Sequence, residues 1–600
     1  TQKDAENRNY FHWQLEFPKV FFGQQEGFDA VVGNPPYISV TNIPEFLRDY
    51  IKDQYRLAKG RFDTYIVFWE RSMNLAGQNG LVSEILPIKW AIYGNGRPMR
   101  DFMLDEVDLR EICNISQCDV FPGVTTYPCI PIAEKKASEE GNVDVINLEK
   151  DPEILGNRDE IEEKGLLNEI PKKRFDNVPQ RIICPYVTDE NWKIYSKMSQ
   201  EGEELGELYR LEQAIRMGSE SARDELITSD PDEEDEYYPL VDGKNISRYS
   251  IDFEGRYLKY EPEKLYNAKS RELLDQNKIL IKRIAERLTV AYDGGIDGKY
   301  VFPLNTVYTL TNPNYEDKTP KFHTGILNSK LQDWLYKLLF NAISVRGGYI
   351  EFREYLKHLP LLSSEIDSKI PELVDKIDDL KQQRKSVNLN IQDYLGNYSD
   401  GKTLGDLYSP VEGLSDKIVS DTSADRDSLR IGGVEFEERN GDLVLKVSAR
   451  YKPDDSESID EDELDRWGYF ETGKVPAMKF SGLSKEMKSL VKEFTELAVD
   501  EAGGFAGFRE SATKTNSVID RLEKLTLPKL EDVEQGLEKF IKNREEAEEL
   551  EEEIQETDEL IDAIVFDLYD LTGEEVETVL DSLGTEGVEK ERILEKFGEV

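Results

Sequence analysis

The first 150 residues alternate between short apolar runs and a segment whose apolar residues have helical spacing. Runs of strand length occur at FDAVVG (28–33), GLVSEILPI (80–88), VDLREICNIS (107–116) and TYPCIPIAEK (126–135). Between the first two runs, DTYIVFWERSMNLA (63–76) spaces its apolar residues as a helix does. Strands that alternate with helices are typical of a mostly parallel sheet with helical crossovers. We therefore predict an α/β domain over residues 1–150.

The pattern changes further along the chain. Residues 185–362 contain short β-prone pieces and turn signals, which predict a mixed α/β domain. We expect residues 363–400 to be a helical spacer, because apolar residues recur there at spacings of four and three: Ile366, Ile370, Leu373, Ile377 and Leu380. Residues 401–600 are predicted to be mostly helical, with one β-hairpin within 428–450 that turns at Asn440-Gly441.

Composition narrows the functional classes. A chain of 600 residues is too long for one core, and none of its apolar runs approaches the ~20 residues that cross a bilayer. We therefore expect a cytoplasmic protein of several domains without a membrane partner. The four cysteines form no CxxC pair, and the three histidines form no cluster, so we expect no metal site.

The net charge of −46 would normally repel nucleic acid. Either the partner is not nucleic acid, or the acidity is an adaptation to a very salty cytoplasm. At about 1 M salt the screening length falls to ~3 Å, so only local contacts count. The acidic residues are spread over the whole length, which favours the second interpretation, a halophilic type of protein.

Asn34-Pro35-Pro36-Tyr37 follows the first predicted strand directly. In open α/β sheets, ligands bind beyond the carboxyl ends of the strands. Prolines fix the backbone and leave carbonyls without competing amide donors. The Asn34 side chain and the Pro35 carbonyl could accept both protons of an exocyclic amine, and Tyr37 could stack on a flipped-out base. The alternative is a plain tight turn after a strand, with Tyr37 packed on the surface.

The motif and its surroundings resemble a known family. FHWQLEFPKVF followed by GFDAVVGNPPYI is similar to the methylase part of type IIG restriction–modification enzymes, in the form of the N6-adenine DNA methyltransferases. The later segments GRFDTYIVFWERSMNLAGQNGLVSEILPIKW, AIYGNGRPMRDFM and CDVFPGVTTYPCIPIAEK continue the resemblance in order. It implies a partial Rossmann-like methyltransferase domain in which Phe121 is the second wall of the base pocket, facing Tyr37. Phe121 could instead be an ordinary core aromatic. Asp63 could line the same pocket or cap a helix.

The resemblance continues into the middle of the chain. YYPLVDGKNISRY, KILIKRIAERLTVAYD and GGYIEFREYLKHLPL look like the target-recognition domain of these enzymes. KILIKRIAERL carries four cations against one acid, Glu286, and such side chains grip phosphates and read guanine edges. We therefore predict DNA contacts by Lys278, Lys282, Arg283 and Arg287, against the alternative of a solvated surface. The spacing of Asp232, Asp242 and Lys244 is similar to that of a metal-dependent nuclease core. We interpret these residues instead as part of a turn in the recognition domain.

The resemblance also implies S-adenosylmethionine as methyl donor and double-stranded DNA as partner. In this family the glycine loop for the donor precedes the Asn-Pro-Pro-Tyr motif, and only 33 residues precede Asn34 here. We expect that loop, and any nuclease, in a missing amino-terminal segment or a partner chain, which would also cover an open sheet edge. The main hypothesis is an adenine-specific DNA methyltransferase of a restriction–modification or phage-defence system. The alternatives are a non-catalytic DNA specificity subunit, a scaffold that binds no DNA, and an enzyme that modifies RNA or protein amines.

Overall fold

The computed structural model describes residues 11–23, 26–118, 120–121, 127–137, 140–148, 152–232, 236–340, 350–352, 354–363, 369–409, 430–453, 459, 464–465, 467–500 and 518–600. The chain divides into two compact units. The larger unit combines Thr1–Asp379 with Gln555–Val600, and the smaller unit is Leu380–Ile554. No described helix is long and apolar enough to cross a membrane.

A seven-stranded sheet organises the first part of the larger unit. Its strands are β1 (Phe28–Gly33), β2 (Ala76–Glu84), β3 (Leu86–Pro87), β4 (Asp108–Asn114), β5 (Pro128–Glu134), β6 (Asn142–Asn147) and β7 (Leu167–Pro171). Their order is β1-β2-β5-β4-β6-β7, and β3 pairs with β5. β1 is parallel to β2 and β4 is parallel to β6, whereas β5 is antiparallel to β2 and β4, and β7 is antiparallel to β6. No described strand pairs with the outer edge of β1, where Val32 is 81% exposed.

Helices lie against this sheet. The longer ones are α1 (Glu45–Gln54), α2 (Thr64–Leu75) and α3 (Arg97–Asp105), and shorter ones span Trp13–Glu16, Pro18–Phe21, Lys89–Ile92, Arg158–Glu163 and Lys172–Asp176. α2 packs against β1 and β2. Its sequence TYIVFWERSMNL is apolar around most of its circumference, and such a helix must be buried. Ile66 and Trp69 are accordingly 0% exposed.

The middle of the larger unit consists of small sheets. After α4 (Asp189–Glu201) come β8 (Arg210–Gln213), α5 (Glu220–Leu226), β9 (Tyr237–Val241), β10 (Lys278–Lys282), β11 (Val290–Asp293) and β12 (Val307–Thr311). An antiparallel sheet has the order β11-β10-β12-β8. A second sheet has the order Ile227–Thr228, Tyr257–Lys259, β9, Phe302–Pro303. Further short strands and helices are Glu203–Glu204, Leu205–Leu208, Arg216–Met217, Ile246–Ser247, Ser250–Ile251, Leu265–Asn267, Arg271–Leu274, Ile284–Ala285, Ile350–Glu351 and Pro360–Leu361.

Three helices follow these sheets: α6 (Lys318–Asn328), α7 (Lys330–Phe340) and α8 (Ile370–Ser386). α8 carries most of the predicted apolar stripe, since Ile370 and Ile377 are 0% exposed and Leu380 is 6% exposed. Leu373 of the predicted stripe is only half-buried, and Val374, which was not predicted, is buried instead. A Cβ on Gly325 of α6 would lie 2.2 Å from Ile370, so only glycine allows α6 and α8 to approach this closely. The predicted stripe residue Ile366 lies outside the described residues.

The smaller unit contains a hairpin sheet and helices. The hairpin strands β13 (Arg430–Arg439) and β14 (Asp442–Tyr451) turn at Asn440 and Gly441, whose φ angles are 54° and 86°. Left-handed φ values are those that Asn-Gly hairpin turns require. β15 (Val475–Phe480) pairs with β14. The helices are α9 (Lys485–Asp500) and the first part of α10 (Leu530–Leu568), with shorter elements at Gln392–Leu395, Asp400–Thr403, Leu404–Leu407, Phe470–Glu471, Val518–Glu523 and Thr526–Pro528.

The end of α10, together with α11 (Gly573–Ser582) and α12 (Gly587–Glu599), returns to the larger unit. Asp558 on α10 accepts hydrogen bonds from both terminal nitrogens of Arg248 at 2.7 Å and from the Tyr249 hydroxyl at 2.6 Å. Asp562, one turn later, accepts from the Lys330 amide at 2.7 Å. These bonds hold the last part of α10 on the small sheets.

The predicted fold class is confirmed: an α/β sheet, a mixed α/β domain and a helical carboxyl-terminal region follow one another. The expectation of a mostly parallel first sheet is wrong, because β5 runs antiparallel to β2, β3 and β4, and β7 runs antiparallel to β6. The four apolar runs and the helix over 63–76 form β1, β2 with β3, β4, β5 and α2. The first sheet continues past residue 150 to β7, because β6 and β7 pair along its far edge. The region after residue 400 contains more strand than we expected, since β15 adds to the predicted hairpin.

Candidate active site and nucleic-acid interface

Asn34-Pro35-Pro36-Tyr37 lies at the carboxyl end of β1. The last strand residue, Gly33, accepts a backbone hydrogen bond from Ile85 at 3.1 Å, so the segment leaves the sheet at a fixed point. Pro35 is buried, whereas Asn34 and Pro36 are exposed. Two successive prolines restrict the backbone after Asn34, so the exposed Asn34 side chain extends from a rigid segment.

Tyr37 is held by its hydroxyl group. The hydroxyl donates to the Ile85 carbonyl at 2.7 Å and lies 3.3 Å from Oδ1 of Asn34. The shorter contact satisfies the phenol, so Oδ1 of Asn34 keeps acceptor capacity for a ligand. Burial, with smaller contributions from Cys129 and Glu84, raises the pKa of Tyr37 to about 12. The phenol is therefore neutral near pH 7 and acts as a hydrogen-bond donor.

The start of α2 fixes the other side of the segment. The Thr64 hydroxyl donates to the Pro36 carbonyl at 2.5 Å and accepts from the Ile38 amide at 3.0 Å, while the Thr64 amide donates to the Ile38 carbonyl at 2.8 Å. No described residue donates to the Pro35 carbonyl. Pro36 is thus used structurally, and the carbonyl that we predicted as an amine acceptor is the one without a described donor.

Asp63 and Phe121 are the two further residues that we predicted for the pocket. Asp63 occupies the position before α2 but accepts no capping hydrogen bond from it, so the helix-cap alternative gains no support. Burial raises the pKa of the half-buried Asp63, against the attraction of Lys89. Phe121 is half-buried and adjoins residues 122–126, which lie outside the described residues. Its pairing with Tyr37 stays a prediction.

A basic cleft of about 510 Å³ opens among the small sheets. Four cations and one acid line it: Arg223, Lys244, Lys282, Arg283 and Asp242. Arg283 pairs with Glu351 at 2.6 Å, and Lys244 pairs with Glu254 at 2.6 Å. Lys282 and Arg223 form no ion pair with any described residue. In so acidic a protein, two uncompensated cations in one cleft favour an anionic ligand such as a phosphate.

Two family models match the chain. The Eco57I restriction-modification methylase matches residues 1–121, and the TaqI-like C-terminal specificity domain matches residues 238–361. Two stretches of the chain are therefore similar to a restriction–modification methylase and to a specificity domain. The resemblance seen in the sequence is thereby confirmed. The methylase segment contains the Asn34–Tyr37 motif, and the specificity domain contains Lys282 and most of the cleft.

Relatives extend these matches. One relative is RM.MjaORFECS2P of Methanocaldococcus jannaschii, which is named as a type II restriction enzyme and methyltransferase. It is 25% identical to this chain over 428 residues. The match covers 67% of this chain and 33% of that protein. The type II methyltransferase M.BstVI of Geobacillus stearothermophilus is 26% identical over 251 residues, 38% of this chain and 43% of that protein. The matches therefore span less than half of these relatives' own length.

A solved structure also overlaps with the chain. The Type IIL restriction-modification enzyme MmeI in complex with DNA has a TM-score of 0.37 and 12% sequence identity, over 60% of this chain and 50% of that one. An overlap this loose does not allow comparison of individual side chains.

The structure separates the four predicted DNA contacts. Lys282 and Arg283 lie in the cleft, but Lys278 is 1% exposed and pairs with Asp293 at 2.5 Å. Its ammonium cannot reach a phosphate there, so Lys278 does not belong to the interface. Arg287 is half-buried, does not line the cleft and donates to the Asn328 carbonyl at 3.3 Å. Its contact with DNA stays a prediction.

Sequence reasoning missed the residues that complete each site. Thr64 and the Ile85 carbonyl anchor the motif, and Arg223 and Lys244 complete the cleft. Arg223 carries no local signal, because it lies among acidic residues on α5. In the sequence, Lys244 stands out only through its spacing from Asp232 and Asp242, which is similar to that of a nuclease core. Asp242 accepts from the Lys244 amide and pairs with Arg256, and the described residues hold no group of three or more metal-binding side chains.

Proposed function

We propose that this chain is the target-holding part of an adenine-specific DNA methyltransferase of type IIG character, which modifies N6 of a flipped adenine in double-stranded DNA. The observation that carries the proposal is the rigid strand-end segment with the exposed Asn34 amide, the adjoining Pro35 carbonyl and the anchored Tyr37 ring. The matches to the Eco57I restriction-modification methylase and to the TaqI-like specificity domain support the proposal.

In the proposed mechanism, Oδ1 of Asn34 and the Pro35 carbonyl accept the two protons of the adenine amine. Holding both protons orients the nitrogen lone pair away from the protein and towards the incoming methyl group. Tyr37 and Phe121 would enclose the adenine ring, and stacking contributes roughly 1–3 kcal/mol per base. Asp63 would line the same pocket. No general base is needed, because the amine nitrogen is itself the nucleophile.

S-adenosylmethionine is the methyl donor that the family implies, and it would supply an electrophilic methyl group. The described residues do not complete a site for it. β1 is an edge strand, and no described segment beyond its outer edge offers a glycine loop at a strand end. We therefore propose that another segment or a partner chain supplies the donor site, and we derive the chemistry of this chain from the target side only.

The basic cleft of the specificity domain would bind the DNA backbone. Lys282 and Arg223 would contact phosphates, while Arg283, already oriented by Glu351, would contact a phosphate or a base edge. The strongly acidic surface suits a salty cytoplasm, where long-range repulsion from DNA is screened.

A methyl-transfer assay tests the proposed function. The chain, together with the polypeptide that supplies the donor site, is given labelled S-adenosylmethionine and mixed-sequence DNA at molar salt. The product is digested and searched for N6-methyladenine. Asn34→Ala should abolish the label, whereas Asn42→Ala, at an exposed asparagine outside the motif, should not. Equal labelling by the parent and Asn34→Ala would refute the base-holding role, and DNA binding without any transfer would favour a specificity subunit.

A further inference from the structure

A buried carboxyl group lies directly behind the base-holding segment. Glu84, the last residue of β2, is 3% exposed and stands opposite Gly33 in the parallel register of β1 and β2. A Cβ on Gly33 would be only 3.5 Å from Oε1 of Glu84 and 3.7 Å from its Cγ. The carboxyl group therefore packs against the residue that precedes Asn34.

Glu84 is incompletely satisfied. The Ser72 hydroxyl on α2 donates to Oε1 at 2.6 Å, but Oε2 is buried and has no hydrogen-bond partner among the described residues. A buried acid without a cation costs stability when it ionises. Burial accordingly raises the pKa of Glu84 to about 7, although the Ser72 hydrogen bond lowers it in part. Such a group changes its charge within the physiological range.

The groups around the segment do not compensate this charge. Tyr37 from the segment, Tyr65 from α2 and Cys129 from β5 are titratable, but burial raises the pKa of all three, so each is neutral near pH 7. Asp63 and Lys89, which have opposite charges, interact with each other. A charge on Glu84 would therefore act on the segment without a cation of the described chain to balance it.

We propose that Glu84 is a positioning residue whose carboxylate, held behind Gly33 and Asn34, stabilises positive charge on the amine that the segment holds. This inference rests on the proposed function. An exocyclic amine that attacks an electrophile forms its new bond with the nitrogen lone pair, while the leaving group departs with the old bonding pair. Positive charge then resides on the nitrogen until one N–H proton is lost to solvent. A fixed negative charge on a buried side chain favours that change.

The ionised form of Glu84 is then the active form. Ionisation below its pKa falls tenfold per pH unit, so the parent protein should gain about tenfold in transfer rate between pH 6 and pH 8. Glu84→Gln keeps the Ser72 hydrogen bond and the volume but cannot ionise. The variant should transfer methyl groups slowly at every pH, and its transfer rate should not increase between pH 6 and pH 8. A residue needed only for packing would lower the rate by the same factor at each pH and leave the profile unchanged.

The experiment measures transfer rates from pH 5.5 to 8.5 in the complete enzyme, with the parent, Glu84→Gln, Glu84→Asp and Glu45→Gln as a matched control at an exposed position. The control should show the full rise, and Glu84→Asp should restore a pH-dependent rise that Glu84→Gln lacks. An unchanged rise in Glu84→Gln, or a parental rate at pH 8, would overturn the inference and leave the proposed function intact. No transfer by any variant, the parent included, would instead refute the proposed function and this inference with it.

Discussion

The ion pair between Arg248 and Asp558 makes a sharp prediction about the larger unit. Two guanidinium nitrogens at 2.7 Å and the Tyr249 hydroxyl at 2.6 Å converge on one carboxylate. The two charged side chains are only 15% and 20% exposed. Asp558→Asn keeps the shape but leaves the Arg248 cation largely buried without its counter-charge. Breaking a fully buried pair costs about 3–5 kcal/mol.

The neighbouring acid limits the expected cost. Burial, and then repulsion from Asp558, raises the pKa of Asp562 to about 6. In the variant that repulsion disappears, so Asp562 ionises more readily and compensates Arg248 in part. We therefore expect Asp558→Asn to lower the free energy of unfolding by about 3 kcal/mol, the lower end of the range for buried pairs.

Acid should weaken the same pair. Burial alone raises the pKa of Asp558, but attraction to Arg248 and Arg287 outweighs it, so the pKa is lowered. A lowered pKa means that the pair contributes fully above the unfolded-state value and is lost as pH falls through the folded-state value. The parent protein should thus approach the variant in stability in strong acid.

A urea titration at pH 7 measures the effect. The two compact units can unfold separately, so intrinsic fluorescence and limited proteolysis should be followed together to assign each transition. Only the transition of the larger unit should move. Asp567→Asn, at an exposed acid on the same helix, is the matched control and should change stability by less than about 0.5 kcal/mol. If Asp558→Asn behaved like that control, the argument from buried charge would be wrong.

Three further predictions concern the two sites. Tyr37→Phe keeps the aromatic ring but removes the hydrogen bond to the Ile85 carbonyl. In thermal unfolding, the variant should lose about 0.5–1.5 kcal/mol of stability. No loss would show that the hydroxyl does not anchor the segment. Burial raises the pKa of Glu84 from its ordinary value of 4.5 in the unfolded state to about 7 in the folded state. The folded protein therefore holds a proton that the unfolded chain has already lost, and the stability of the parent should fall as pH rises from 4.5 to about 7. The loss should be at most about 3 kcal/mol. Glu84→Gln should lack that fall in unfolding measurements at pH 4.5 and pH 8. Lys282→Ala should reduce the slope of log affinity for DNA against log salt by about 0.9, whereas an unchanged slope would exclude a phosphate contact.

Local sequence was sufficient for much of the fold. The apolar runs and the Asn440-Gly441 turn specify strands and a hairpin because their periods and φ preferences act within a few residues. Local sequence was not sufficient to decide which of the candidate DNA-contacting cations are accessible. Lys278 and Lys282 are both lysines on the same strand, and the residue that pairs with each one across the sheet distinguishes them. Lys278 is paired in register with Asp293, and this pairing places its charge inside the core.

The sequence by itself indicated a methylase-like segment followed by a segment similar to a specificity domain. It also contains the contiguous candidate segment Asn34–Tyr37, whose backbone two prolines restrict. The tertiary structure alone decided what surrounds that segment. Ile85 and Glu84 reach it through the parallel pairing of β1 and β2, and Thr64 reaches it from the start of α2. These contacts join residues 26 to 51 positions apart, and such contacts depend on sheet register and helix packing, which no local pattern encodes.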